Sequence, residues 1–144
     1  MSYSQTWYIS VVFIVVAAAL HLWNAVKMKH AAAVLSGVIR NRQDLDVVRG
    51  AINLSMMLAI AYLALYGAMI ALLVYLVLAQ GMAVSTAATH LLVFAVVTLP
   101  LGIITRGFEA RIRSLEVNSD GPEIAETYLR WLVQWRQARL KLPD

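Results

Sequence analysis

Two long stretches without a charged side chain dominate the pattern of apolar and polar positions along this chain. The first runs from Trp7 to Val26, and the second occupies the 56 positions between Arg49 and Arg106. A helix needs about 20 apolar residues to cross a hydrocarbon core of about 30 Å. One helix of 56 residues would be about 84 Å long, so the second stretch predicts two crossings with a reversal between them.

The reversal is predicted at Gln80-Gly81, where glycine interrupts the apolar run. The sequence thus predicts a short outer tail at residues 1–6, a membrane domain at 7–106 and a helical tail at 107–144. Within the membrane domain, the spans are predicted at about 7–26, 50–79 and 82–105, with a basic loop at 27–49. The apolar run Ala31–Ile39 of this loop is too short to span, and it is expected to form either an interfacial helix or a cytoplasmic extension of span one. Asp44 and Asp46 are expected to precede or start the second long helix.

The segment "NSDGP" is predicted to break the helix that follows span three. A further helix is predicted to begin there, with Asp120 as its cap and Pro122 in its first turn. Its apolar residues recur at helical spacing and form a single stripe. Tryptophan is enriched at membrane surfaces and at protein interfaces. The stripe therefore favours a lipid surface or a partner subunit over packing on the chain's own helices. Its members are Ile124, Tyr128, Trp131, Leu132 and Trp135.

The composition also indicates a membrane protein. Of the residues, 61% are hydrophobic and only 14% are charged, against about 25% charged in soluble domains. The absence of cysteine excludes disulfides and thiolate chemistry. We therefore predict an all-α integral membrane protein with three transmembrane helices and a C-terminal cytoplasmic amphipathic helix.

The positions of the basic residues predict how the chain is threaded. All 12 lysines and arginines lie either in the 27–49 loop or from Arg106 onwards. Basic residues are retained on the cytoplasmic side, so the N-terminus is predicted outside and the C-terminus inside. Compactness and the lack of cysteine favour a bacterial inner membrane. Nucleic acid is not an expected partner, because membrane threading already accounts for the basic residues.

The predicted spans contain no Asp, Glu, Lys or Arg, and His21 and His90 are their only histidines. These two residues are the weak candidates there for binding a cofactor. Their predicted depths differ by roughly 10–15 Å at 1.5 Å per residue, which disfavours a shared metal or haem. Each is expected to bond a neighbouring helix or water. No metal site is predicted and no cofactor is required; a pigment, haem, quinone or lipid is left open.

The segment "RGAINLSMM" resembles the Arg-x3-Asn-x2-Glu element of the membrane glutathione transferases of eicosanoid and glutathione metabolism. Those are small helical trimers that bind glutathione between subunits. The resemblance implies a glutathione-binding role for Arg49 and Asn53. Met56 stands where that family has its glutamate, and the family has four spans. The resemblance covers about nine residues, and a glutathione-binding function is kept as an alternative.

The sequence contains no Gly-rich phosphate loop, no HExxH motif and no GxSxG motif. This pattern favours a non-catalytic accessory or structural subunit, or an assembly factor, of a larger membrane complex, such as a respiratory or photosynthetic one. The expected partners are the lipid bilayer and other subunits or a second copy. One alternative is a small membrane enzyme that binds glutathione or a lipid at the cytoplasmic end of span two; another is an oligomeric pore or carrier. The predicted contact residues are Tyr62, Tyr66, Gly67, Trp131 and Trp135.

Overall fold

The computed structural model describes residues 3–118, 121–136 and 142, and its described part is all-helical apart from one very short strand pair. The three long helices are long and apolar enough to cross a membrane. The elements are α1 (Tyr3–Leu35), β1 (Val38–Ile39), α2 (Arg42–Gln80), α3 (Val84–Arg113), β2 (Glu116–Val117) and α4 (Pro122–Gln134).

All three long helices extend beyond the predicted spans at the basic end of the bundle. The predicted loop 27–49 is mostly helical, because α1 continues to Leu35 and α2 begins at Arg42. The apolar run after Lys29 is too short to cross a membrane, but it lengthens α1 and supplies Ala31 and Leu35 to a buried core. Charged residues thus mark where the apolar segments end, and they do not mark where the helices end.

Local bonds fix both ends of α2. The Asn41 side chain accepts a hydrogen bond from the Asp44 N–H (3.0 Å), and the Asp44 carboxylate accepts one from the Arg40 N–H (2.8 Å). These bonds satisfy backbone donors that the first turn leaves open. At the other end, Gly81 adopts a left-handed conformation with φ 66°, and the Met82 N–H bonds to the Leu76 carbonyl. The predicted reversal at Gln80-Gly81 is therefore a glycine-capped helix end.

A parallel pair of two-residue strands joins the ends of α1 and α3. Val38 pairs with Glu116 and Ile39 pairs with Val117. The pair requires α1 and α3 to end at the same level. These two helices run in the same direction because the chain reverses twice, once before α2 and once after it. The sequence analysis did not predict these strands, because two residues carry no readable period.

The buried apolar residues form two separate cores. The apolar-end core lies near the Gly81 reversal and consists of Ala17, Met69, Leu73, Ala87 and Phe94. The basic-end core is larger, and α4 and Leu142 contribute to it. Its members are Met28, Ala31, Leu35, Ile39, Leu45, Val48, Ala51, Ile52, Met56, Ile112, Leu115, Tyr128, Trp131, Trp135 and Leu142.

Helix α4 begins at Pro122, which lies in its first turn as predicted, and its N-cap is Gly121 in place of the predicted Asp120. Its apolar stripe packs on the chain's own helices, which corrects the preference for a lipid or partner surface. Trp131 and Trp135 are only 4% and 8% exposed, because the parts of the long helices beyond the predicted spans form a core on which α4 packs. The Tyr128 hydroxyl donates to the Ile112 carbonyl (2.6 Å), and burial raises the pKa of Tyr128.

Candidate functional site

The space between the two cores is polar. Asn24 of α1, Ser55 of α2 and Glu109 of α3 meet there, one from each long helix. The Ser55 hydroxyl donates to Glu109 Oε1 at 2.6 Å, and the Asn24 amide nitrogen lies 3.4 Å from the same oxygen and 3.3 Å from Ser55 Oγ. We call these three residues the polar triad. They are the point at which all three helices are joined by hydrogen bonds.

A groove of about 440 Å³ begins at the polar triad and runs toward the apolar-end core. Helices α2 and α3 contact each other much less than either contacts α1. The groove is therefore open on the side between α2 and α3, and α1 forms its floor. It is lined by Leu20, His21 and Asn24 from α1, by Leu58, Ala59, Tyr62 and Leu63 from α2, and by Thr98, Leu99, Gly102, Ile103, Thr105, Arg106 and Glu109 from α3.

His21 and Tyr62 shape the middle of this groove. Their ring centroids lie 4.6 Å apart, and the Tyr62 hydroxyl lies 3.3 Å from the Thr98 hydroxyl. Gly102 faces His21, because a Cβ built there would lie 3.7 Å from His21 Cε1. The small residue at position 102 thus leaves room for the imidazole ring. The walls beyond these rings are apolar.

One anion and one cation remain unpaired on the groove wall. Glu109 Oε2 accepts no hydrogen bond from the described part of the chain, and Arg106 has no ion-pair partner there. The two residues are three positions apart on α3, so they lie on the same helix face. Asn24 is 7% exposed, and its Oδ1 is buried without a hydrogen-bond donor. The polar end of the groove therefore has unused acceptors beside an unused cation.

His90 lies away from this groove, against Trp7, with ring centroids 4.0 Å apart. It is fully buried, and neither ring nitrogen has a hydrogen-bond partner among residues 3–118, 121–136 and 142. His21 and His90 thus contact different aromatic residues. Across the same residues, no cluster of three or more histidines or acids is placed to hold a metal ion.

Arg49 and Asn53, the groups that the glutathione transferase resemblance implies, both contact the C-terminal part of the chain. Asn53 Oδ1 accepts a hydrogen bond from the Leu142 N–H at 2.7 Å. The Arg49 guanidinium carbon lies 5.8 Å from the Trp131 ring centroid. Both residues therefore help to hold the C-terminal segment against α2, on the side where α4 packs.

Tyr62, Tyr66 and Gly67 do not share one environment. Tyr62 is partly buried in the groove, whereas Tyr66 is 37% exposed and stacks on Tyr62 with centroids 6.5 Å apart. Gly67 is exposed, and a Cβ at that position would meet nothing within 4 Å. The small residues Ala64, Ala68 and Ala71 are exposed as well. These small residues therefore do not take part in the packing between the three long helices.

Sequence reasoning missed Asn24 and Glu109. Glu109 falls beyond Arg106 and was assigned to the tail, where a carboxylate in "RGFEAR" looks like part of a solvated face. The available signal was helical register: Thr98, Thr105 and Glu109 follow one another at steps of seven and four, so a helix through Arg106 places them on one face. Asn24 stands at the end of an otherwise apolar run, where a buried amide requires a partner.

The described residues thus form a helical protein with three helices apolar enough to span a membrane and a side-opening groove that is polar at one end. The chain matches no protein-family model, no curated protein and no solved structure.

Proposed function

We propose that the three long helices cross a membrane and that the groove binds one membrane lipid, with its headgroup at the polar triad and its tail along the apolar wall. The observation that carries this proposal is the order of chemistry along the groove. Its polar end lies at the level where the charge-free stretches end, because Asn24 precedes Lys27 and Glu109 follows Arg106 by three residues. A lipid headgroup occupies the same level in a bilayer.

The side opening supports a lipid over a water-soluble ligand. Leu63, Leu99 and Ile103 line the groove, and each is more than 60% exposed. In a bilayer these side chains face hydrocarbon, so a ligand enters sideways without leaving the lipid phase. The volume of about 440 Å³ falls within the range of about 300–1,000 Å³ typical of small-molecule sites. It holds a headgroup and the first part of a tail.

The threading proposed with this function places the basic end in the cytoplasm. The residues of the predicted inner face carry every lysine and arginine of the chain, and such residues stay on the cytoplasmic side. The groove then takes its lipid from the inner leaflet. A bacterial inner membrane remains part of this proposal.

Native mass spectrometry of the protein released in mild detergent tests the proposal. The wild type is expected to carry one lipid. Ala59→Phe is expected to abolish that adduct, because Ala59 is exposed on the groove wall and its replacement fills the groove without disturbing a core. Ala61→Phe is the matched control, because Ala61 is exposed outside the groove. Equal lipid retention in the two variants, or no lipid on the wild type, contradicts the proposal.

A second candidate function is an accessory subunit of a larger membrane complex, and the exposed small residues around Gly67 favour it. Small residues allow two helices to approach closely in a membrane, and α1 and α3 do not cover these positions. Tyr66 lies beside them and offers a half-exposed ring. The same mass spectra test this candidate, because a bound subunit or second copy adds its own mass. A monomer that carries only lipid contradicts it.

A further inference from the structure

We propose that the groove prefers a lipid whose headgroup carries a primary ammonium beside a phosphate, as phosphatidylethanolamine does. This inference rests on the proposed function, because it names the headgroup of the lipid that the groove would hold. It starts from the chemistry left unsatisfied at the groove's polar end. Within residues 3–118, 121–136 and 142, nothing donates to Glu109 Oε2 or Asn24 Oδ1, and no acid pairs with Arg106.

The Glu109 carboxylate favours a cationic ligand group. Because its Oε2 can still accept a hydrogen bond, it favours a cation that carries N–H donors. Glu109 Oε1 already accepts the Ser55 hydroxyl and faces the Asn24 amide, so only Oε2 is open to a ligand. Charge-assisted hydrogen bonds are stronger than neutral ones. A primary ammonium has three such donors, so it can donate to Glu109 Oε2.

A trimethylated ammonium lacks these donors. It is recognised in proteins by the open faces of several aromatic rings. The aromatic rings of this groove do not provide such a cage, because the His21 and Tyr62 rings pack on each other at 4.6 Å. Recognition of choline is therefore expected to be weak here, although its charge equals that of ethanolamine.

Arg106 supplies the complement for the phosphate. Glu109 and Arg106 lie on one face of α3, three residues apart, and guanidinium binds phosphate oxygens through a planar pair of donors. A headgroup with phosphate and ammonium joined by two methylene groups pairs with both residues in one orientation. An anionic headgroup would also pair with Arg106, but its negative charge would lie beside the negative charge of Glu109 and would be repelled by it.

A methylation series tests this inference on the full-length protein. Phosphatidylethanolamine, its N,N-dimethyl derivative and phosphatidylcholine, all with the same acyl chains, compete for the protein in mixed micelles, and native mass spectrometry counts the adducts. We expect phosphatidylethanolamine to bind at least about tenfold tighter than phosphatidylcholine, a difference of about 1.4 kcal/mol, because phosphatidylcholine cannot donate a charge-assisted hydrogen bond to Glu109. The dimethyl lipid is expected between them.

Two variants assign the effect to residues. Glu109→Gln keeps the shape of the side chain and removes its charge, so the preference is expected to fall to about twofold or less. Arg106→Gln is expected to weaken all three lipids equally, because the phosphate is common to them. Equal binding of the three lipids by the wild type overturns the inference and leaves the proposed function standing.

Other results also contradict specific steps. An unchanged preference in Glu109→Gln shows that another group reads the ammonium and overturns the assignment. Tighter binding of phosphatidylglycerol than of phosphatidylethanolamine shows that Arg106 dominates and overturns the zwitterion match. If the wild type binds none of these lipids, and if its mass spectrum shows the same adducts as that of Ala59→Phe, the proposed function itself is contradicted.

Discussion

Trp131→Ala is expected to lower the free energy of unfolding by about 3–5 kcal/mol, the usual cost of removing a buried tryptophan. Trp131 is 4% exposed in the basic-end core, where Tyr128 and Trp135 flank it and the Arg49 guanidinium lies 5.8 Å from its ring. Most of this core lies outside the charge-free stretches, so Trp131 is expected to meet water when α4 detaches. The loss therefore includes both the transfer of the indole to water and the cavity left behind.

Unfolding in mild detergent, followed by circular dichroism, measures this change. Leu129→Ala is the matched control, since Leu129 lies on the same helix and is 60% exposed. We expect it to change stability by less than about 0.5 kcal/mol. If Trp131→Ala and Leu129→Ala were equally stable, α4 would not be part of a packed core, and the original interpretation of a membrane-surface or partner-binding stripe would be favoured.

Phe94→Ala is expected to cost less, about 2 kcal/mol, although Phe94 is only 1% exposed. Its ring contacts Tyr62 and Tyr66, with centroids 6.1 and 5.6 Å away. Lipid tails are as apolar as the core, so separating helices within a bilayer does not move Phe94 into water. Only the cavity term remains, at about 24 cal/mol per Å³ for roughly 100 Å³ of lost side chain.

The same unfolding assay compares the two cores directly. Leu92→Ala, at a position on α3 that is 64% exposed, is the control for Phe94→Ala and is expected to be near neutral. We expect Trp131→Ala to lower the free energy of unfolding by more than Phe94→Ala does. A larger cost for Phe94→Ala than for Trp131→Ala would indicate that the apolar-end core is surrounded by water in the native state.

The apolar pattern was sufficient to predict the long helices, because the physics involved is local and additive. A charge-free run of sufficient length and a glycine between two such runs specify three helices and one reversal. Asn41 and Asp44 likewise act within one turn, so the start of α2 near Asp44 was predictable. The exact ends of α1 and α3 were not, because packing on α4 and pairing of β1 with β2 extend order into the charged segments.

The groove was beyond sequence reasoning for a different reason. Asn24, Ser55 and Glu109 are separated by 31 and 54 positions, and no period in the sequence connects them. Treating Arg106 as the end of a span removed Glu109 from consideration. Arg49 and Asn53 illustrate the converse error, since their spacing is a clear local signal but their contacts are with the C-terminal part of the chain.

Single-cysteine labelling tests the central claim, namely that the long helices cross a membrane with the basic end inside. The chain has no cysteine of its own, so Ser85→Cys, Val96→Cys and Ser114→Cys each carry one thiol. In sealed right-side-out vesicles, we expect a membrane-impermeant maleimide to label position 85 at once, position 114 only after permeabilisation, and position 96 only after denaturation. Labelling of position 96 in intact vesicles at the rate of position 85, or of positions 85 and 114 from the same side, would contradict the account.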